Sequence, residues 1–596
     1  MLQDLRYALR ALMRRPLVTS VAVLSLALGI GVNTAMFSGF DRLLLQRLPV
    51  PSPNEIVLVT SPGPHPGSRS TSNSGRVDGI FSYPLFRDLE RLENIGIRVA
   101  AHRDIGANIA YRGQTSKARG SLVSGQYFPV LGVTPTLGRL FGPADDRVPG
   151  GHSIVVLSFD YWNARFGADP RILNESLVVN GELMTIVGVA PRGFVGTTLV
   201  DRPDLYMPLA MAQQAFGSPT WSGMTSRLNH WLYVFGRLEP GVSRERAEAL
   251  SNVPFAALIR DVEYPAVRTE LREAERQPFQ DRTLTFEDGS SLRSRDRDVI
   301  WGVLLLLQGV TMFVLCIACA NVANLLLARI TDGATEMAVR LSLGASPMRV
   351  TRLLLVEVLL LGLMGSVGAL LIGRLTLNGV RTLLPPEDRG MLTFAIDGTV
   401  LTFTLAVGLG TTLPFGLFPT FHGVRSAVAR GLAGHATRVS GSPAANRFRA
   451  SMATTQVALA TALLSVTGLF IVSLVNVSRI ELGIERQGLI TFGLAPIQNG
   501  YTSDQSRALF ARLEDELRAL PGVTSVTATT VPILTGDGSS NRLTVEGFDA
   551  EPEADRSASY GRTSTDYFRT LGVPLIAGRD FTEADTIGAP AVAIVN

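Results

Sequence analysis

Residues 321–352 read NVANLLLARITDGATEMAVRLSLGASPMRVTR, a short polar stretch between two long apolar runs, 301–328 before it and 353–377 after it. Arg329, Arg340, Arg349 and Arg352 outweigh Asp332 and Glu336. A basic loop between two membrane spans belongs on the cytoplasmic side. Residues 335–343 hold good helix formers and no proline, with Met337, Ala338, Leu341 and Ala345 near one face, and Gly344 ends the pattern. The spacing predicts a short cytoplasmic helix carried between two membrane helices. Its plainest use would be to close a loop at the membrane interface.

The residue choices narrow that reading. ANLLLAR at 323–329, followed by Glu336-Met-Ala-Val-Arg340-Leu-Ser-Leu-Gly344-Ala-Ser346, resembles the cytoplasmic signature of the macrolide-exporter (MacB)/FtsX-type ABC permeases. The resemblance implies a coupling helix seated in a cleft of a separate ATPase, with Glu336, Arg340, Leu341, Gly344 and Ser346 as the ATPase-coupling residues. Asp332-Gly333 departs from the more basic stretch usual at that place.

Composition agrees with a membrane protein. The chain has 596 residues, 46% of them apolar, and a mean hydropathy of +0.24, which is too apolar for an ordinary soluble protein. Net charge is only +4, and the basic residues gather in a few loops. That distribution points to membrane orientation and away from nucleic acid. Lys117 is the only lysine, and no Gly-Lys pair exists from which a phosphate-cradling Walker A loop could be built. The chain is therefore expected to be no enzyme and to hold no cofactor, with ATP bound by a partner ATPase. Cys316 and Cys319 form a C-x-x-C, a redox or metal spacing in a soluble protein. Inside an apolar helix they read as small packing residues. His65, His102, His152, His230, His422 and His435 are scattered, and no metal-ligand spacing joins them.

The expected fold class is an α-helical membrane protein of five transmembrane helices with α+β extracytoplasmic domains. Residues 1–15 read as an amphipathic interfacial helix, with Leu2, Leu5, Leu9 and Leu12 on one face and Arg6, Arg10, Arg14 and Arg15 for anionic headgroups. Residues 17–40 form the first span, long enough for a hydrocarbon core of ~30 Å, and no A-x-A site follows to mark a cleaved signal peptide. Residues 41–298 mix strand patterns at 153–157 and 177–189 with helical ones at 83–93 and 243–250, which suggests an extracytoplasmic α+β domain of two lobes. The membrane domain covers 301–421, with spans 301–328, 353–377 and 400–421 around the coupling segment 329–352. Residues 422–449 carry Arg425, Arg430, Arg438, Arg447 and Arg449 with no acid, a cytoplasmic linker by its charge. The fifth span is 450–475, and 476–596 lies outside again. The protein is thus expected in a bacterial inner membrane, N-terminus cytoplasmic and C-terminus extracytoplasmic. Glu357 and Arg374 fall within a span. They would mark a transport path or, more plainly, lie near its two ends, Glu357 beside Arg352 and Arg374 snorkelling outward.

The chain repeats itself. Tyr567-Phe568, Leu571-Gly572-Val573, Gly578-Arg579, Phe581 and Ala584-Asp585 match Tyr127-Phe128, Leu131-Gly132-Val133, Gly138-Arg139, Phe141 and Ala144-Asp145 at a constant offset of 440 positions. A repeat of this length signals a duplicated domain. These phrases, with Val189-Ala-Pro191-Arg-Gly193-Phe194, resemble the periplasmic core domain of the same permeases. Gly132, Gly138 and Gly193 are expected at turns that need positive φ, and Arg139 and Asp145 are expected to be structural. The second copy ends at 593–596, read as a strand equivalent to 155–158, and so reads as incomplete beside a tandem-duplicated permease.

The function implied by the resemblance is the membrane subunit of an ABC system. ATP-driven closure of a cytoplasmic ATPase dimer would move the ectodomain to expel or release a peptide, antibiotic, lipid or lipoprotein. A periplasmic adaptor, an outer-membrane channel and a second permease copy are further partners of such a system. The alternative is an FtsX-type regulator that activates an extracytoplasmic partner such as a cell-wall hydrolase. An anchored ectodomain enzyme finds no supporting motif.

Overall fold

Pro16 divides the N-terminal apolar stretch in two. In a computed structural model, Leu2–Met13 and Pro16–Phe40 are separate helices, with Pro16 in the first turn of the second, where its missing N–H is no loss. The structure describes residues 2–41, 47–71, 77–197, 202–216, 221–290, 297–332, 346–383, 397–414, 443–480, 483–531 except 486, 539–542, and 557–595 except 587. They form two units, one of Met1–Gln46 with Arg297–Ile480 and one of Arg47–Asp296 with Glu481–Asn596.

The first unit is helical. Among the described residues four helices are long and apolar enough to cross a membrane: Pro16–Phe40, Leu304–Leu326, Thr351–Thr382 and Ala450–Ser478. The expected span 400–421 is seen only as the shorter apolar helix Gly398–Pro414, and 415–421 lie outside the described residues. Four of the five expected spans are therefore found among the described residues, and the described part of the other falls short of membrane length. Leu12 of the N-terminal helix is buried among the other helices. Leu5 and Leu9 remain 39% exposed, so much of the expected apolar face is left for lipid.

The second unit is built on one long strand. Ile97–Tyr111 pairs antiparallel with Asn229–Leu238 over its first half, from Ile97 opposite Leu238 to His102 opposite Tyr233. Its second half pairs with Gln114–Val123, from His102 opposite Val123 to Tyr111 opposite Gln114. One sheet therefore runs through the domain that the sequence suggested as two lobes, with this strand between Asn229–Leu238 and Gln114–Val123. The 177–189 pattern resolves into Ser176–Val179 and Glu182–Val189, folded back at Asn180-Gly181. Ser243 caps a helix that runs over Arg244–Leu258, past the expected end and through Pro254. Gly132, Gly138 and Gly193 all take positive φ, as expected of turn glycines.

Buried polar groups fix the loops of this unit. Asp146 is 1% exposed and accepts from the backbone N–H of Ala210 (2.6 Å) and Gly125 (3.1 Å) and from Arg87 (3.3 Å). Burial nevertheless pushes its carboxyl up to about 6. Arg282 donates to Ser61 Oγ (3.2 Å) and stands 3.1 Å from His65 Nε2, while His230 Nε2 lies 3.0 Å from the Pro66 carbonyl. Burial, with the Arg282 charge second, lowers His65 to about 2 and His230 to about 3. His102 is lowered to about 3 by burial, with Arg103 adding to it.

The repeat is visible in three dimensions. Arg139 and Asp145 form a two-pronged ion pair at 2.8 and 2.9 Å, and Arg579 and Asp585 repeat it at 2.7 and 2.7 Å. Tyr127 and Phe128 meet edge to face at 5.2 Å, and Tyr567 and Phe568 do so at 5.4 Å. Burial differs between the copies. Tyr127 and Phe128 are fully enclosed, whereas Tyr567 and Phe568 are half-buried. The strand expected at 593–595 is not formed. Its counterpart Ile154–Leu157 exists because Leu205–Pro208 and Glu182–Val189 pair with it, and no such partner is present for 593–595 among the described residues.

The histidines make acid stability of this unit predictable. Each is neutral in the fold at pH 5, while its unfolded form gains a proton below pH 6.5. Stability is therefore present above pH 6.5 and lost as pH falls, by up to about 1.4 kcal/mol per pH unit for each histidine. Asp146, raised to about 6, and Glu90, Asp204 and Glu263, raised by burial, take up protons in the fold and oppose this loss. The histidine contribution is read by difference: between pH 6.5 and 5 the urea midpoint of His230→Asn should change less unfavourably than that of the parent chain. An equal change in both would contradict the burial of this ring.

Candidate functional site

Residues 329–352, the segment expected to couple, are entered and left by two of the longest helices among the described residues. Arg297–Asp332 carries residues 329–332 at its C-terminal end, and Pro347–Leu383 begins directly after Ser346. Ser346 is exposed and starts that helix, accepting from the Arg349 N–H at its carbonyl (3.0 Å) and its hydroxyl (3.4 Å). Arg349 and Arg352 are exposed on the first turns. Glu336, Arg340, Leu341 and Gly344 lie outside the described residues. Of the five residues expected to couple, the structure thus places Ser346, at a helix start.

What joins the two helices is the Pro16–Phe40 helix, which packs along both. The contact needs small residues. A Cβ at Gly31 would lie 2.7 Å from Ile372 Cβ and 2.9 Å from the Ala369 carbonyl oxygen. Leu26 and Ala27 rest in the same way over Gly365 and Gly368. Lipid offers no hydrophobic drive between helices, so close backbone approach and shared hydrogen bonds must hold them.

The hydrogen bonds centre on Asn33, which is 0% exposed. Its Nδ2 donates to the Thr311 carbonyl at 2.7 Å and to Gly29 O at 2.9 Å. Its Oδ1 accepts from Gln308 Nε2 at 2.8 Å and Thr311 Oγ1 at 3.1 Å. Every donor and acceptor of the amide is used. Thr34 Oγ1 lies 3.2 Å from Thr404 Oγ1, and Phe37 stacks on Phe403 with centroids 3.9 Å apart. Gly398–Pro414 is joined to the group through these two contacts. Gln456 donates to Asn321 Oδ1 at 3.0 Å, tying Pro443–Ser478 to Arg297–Asp332.

Sequence reading missed Asn33 and its partners. The signal was an Asn-Thr pair inside an otherwise apolar span, where a polar residue must find a partner. Of the charged span residues, Glu357 is buried and Arg374 is exposed. They sit about 25 Å apart along one helix and cannot pair with each other. The exposed Arg374 agrees with an outward-snorkelling side chain. Cys319 packs in the helical core beside Leu315 and Val322, and both cysteines are free.

Gly31 is the sharpest test of this packing. Gly31→Ala should lower stability in detergent by about 1–3 kcal/mol, the usual cost of overpacking. Gly39→Ala, where the added carbon meets nothing within 4 Å, should not. Equal melting temperatures for the two variants would remove the glycine contact as a cause.

Residues 19–251 match the MacB-like periplasmic core domain family. The chain is 20% identical over 378 residues to an uncharacterized ABC transporter permease, YknZ, of Bacillus subtilis (strain 168), covering 63% of this chain and 85% of that protein. Among solved structures it is similar to the extracellular domain of the noncanonic ABC-type transporter YknZ from Gram-positive bacteria, at 15% identity and a TM-score of 0.25, covering 34% of this chain and 93% of that domain. It is also similar to the periplasmic region of MacB from Actinobacillus actinomycetemcomitans, at 15% identity and a TM-score of 0.27, covering 43% and 94%. Residues 19–251 thus match a MacB-like periplasmic core domain, in a chain whose described residues include four helices of membrane length, and the whole resembles the MacB-like permeases.

Proposed function

We propose that this chain is the permease subunit of an ABC system, carrying the work of a separate cytoplasmic ATPase to its extracytoplasmic domain. The observation that carries the reading is the match of residues 19–251 to the MacB-like periplasmic core, in a chain whose long helices lead into and out of residues 329–352. The subunit itself is non-catalytic, and ATP is bound by the partner. Glu336, Arg340, Leu341, Gly344 and Ser346 meet a cleft of the ATPase dimer. Closure of that dimer pushes the two helices that flank them. Fully satisfied polar contacts and glycine faces let the helices move as one packed body rather than slide past each other. Cargo is moved or released on the outer side, as a peptide, antibiotic, lipid or lipoprotein. A periplasmic adaptor, an outer-membrane channel or a second permease copy completes the system.

The topology that this requires has five spans. Residues 400–421 cross the membrane between an external loop and the basic linker 422–449, and the termini lie cytoplasmic and extracytoplasmic. The linker's arginines with no acid support that orientation.

Reporters fused after Ser346 and Arg438 should read cytoplasmic, and those after Asp145 and Gly547 external. An external signal at Arg438 would sink the five-span topology. Arg340→Glu should insert normally and lose ATPase co-purification, since charge reversal inside a docked surface costs more than a change at its rim. Undiminished co-purification would overturn the coupling role.

A further inference from the structure

The two ectodomain copies meet at a pair of turns. In the first copy, Asn180-Gly181 joins Ser176–Val179 to Glu182–Val189 with both residues at positive φ, 49° and 86°. This is the turn class whose twist suits a two-residue hairpin. Asn180 is buried and locks the turn to the neighbouring long strand. Its Oδ1 accepts from Asn108 N–H at 2.8 Å, its own N–H donates to Asn108 O at 2.9 Å, and its Nδ2 donates to Ala215 O at 2.7 Å. The turn is therefore held rigid from beneath.

Opposite it stands a turn of the second copy. Ile497–Asn499 form a single helical turn closed by Gly500 at φ 84°. Asn499 N–H donates to Pro496 O at 2.8 Å and Gly500 N–H to Ile497 O at 3.1 Å. The turn leads straight into the Ser503–Arg518 helix, whose start is fixed by reciprocal bonds between Thr502 and Gln505. Asn108 Nδ2 donates to Gln498 Oε1 at 3.2 Å. A Cβ at Gly181 would lie 2.6 Å from Gly500 N and 2.8 Å from Gly500 Cα. Both are backbone atoms and cannot swing aside. A second contact between the copies is made where the Ser539–Arg542 strand runs beside Ser68–Arg69.

We propose that the Asn180-Gly181 turn, with Asn108 beside it, is a docking latch for the second ectodomain, occupied by residues 497–500 of the same chain. Glycine at 181 thus serves two purposes, the positive φ of the turn and the approach of Gly500. The latch passes displacement of either ectodomain to the other, and it does not depend on the ATPase reading. The contact is asymmetric. A Cβ at Gly500 would lie 3.8 Å from Gly181 Cα, an ordinary contact, so across this approach only Gly181 lacks room for a side chain, although Gly500 also holds positive φ.

The test uses the full chain with Cys316→Ala and Cys319→Ala. Asn108→Cys with Gln498→Cys should cross-link within one chain when treated with a short dithiol reagent. Asparagine accepts positive φ, so Gly181→Asn keeps the turn while closing the gap. It should lower the cross-linking yield about tenfold, the scale of one overpacked contact. Gly500→Asn should leave the yield unchanged. Cross-links between two chains, or a yield indifferent to Gly181→Asn, would overturn the latch. Trp162, Trp221 and Trp231 all lie in the first ectodomain, so fluorescence melting checks its fold in each variant. If Gly181→Asn lowers that melting temperature, Asn108→Asp with Gln498→Glu, made without the cysteines, replaces the test. Two facing carboxylates should speed hydrogen exchange at 499–506, and unchanged exchange there would sink the proposal.

Discussion

The membrane unit rests on a helix that must satisfy every polar group without water. Pro16–Phe40 carries Asn33 and Thr34 at a depth where an unpaired amide costs several kcal/mol. The cost is avoided because Gln308 and Thr311 on one neighbour and Thr404 on another reach the same point. Gln308 and Thr311 reach it because Gly29 lets their helix come close, a Cβ there lying 3.0 Å from Ala318 Cβ, while Gly31, Gly365 and Gly368 set the separate approach of Pro347–Leu383. A larger residue at 29 would separate the first pair of helices and strand the amide, and an apolar residue at 33 would remove the directional contacts that set helix register.

The extracytoplasmic unit shows which parts of a repeat are local and which are not. The Arg139–Asp145 clamp spans six residues and is rebuilt in the second copy at Arg579–Asp585 with nearly the same lengths. In the second copy the guanidinium bonds lead in holding Asp585 well below the usual carboxylate range. In the first, the same contacts outweigh the burial that would raise Asp145. The Tyr-Phe pair behaves differently. Its edge-to-face geometry is local and recurs, as does the Phe128–Phe141 contact in Phe568–Phe581, but its burial depends on Phe194, Tyr206 and Phe235 arriving from distant segments. The same dipeptide is therefore core in one copy and half-exposed in the other.

Much of the architecture was legible before any coordinates. Hydropathy marked five spans because twenty or so apolar residues have few other uses, and four of them are helices of membrane length among the described residues. Turn glycines at 132, 138 and 193 announced themselves through their neighbours, and the offset of 440 disclosed the duplication. The limits of the helices were less legible. Arg244–Leu258 outran its pattern, and the strand read at 593–595 did not form, because a strand is defined by its partners and not by its own residues. Asn33 went unread as a site, since a single polar residue in a span carries no record of the two helices that complete it.

The sequence by itself determined what depends on short range: which segments are apolar enough to leave water, where the chain must turn, and that one stretch is written twice. Tertiary structure alone decided which of those segments touch. Asn33 and Thr311 are 278 positions apart, and Asn108 and Gln498 are 390 apart. No local pattern encodes such pairings, because complementarity between two surfaces is a property of both and appears only when the chain brings them together.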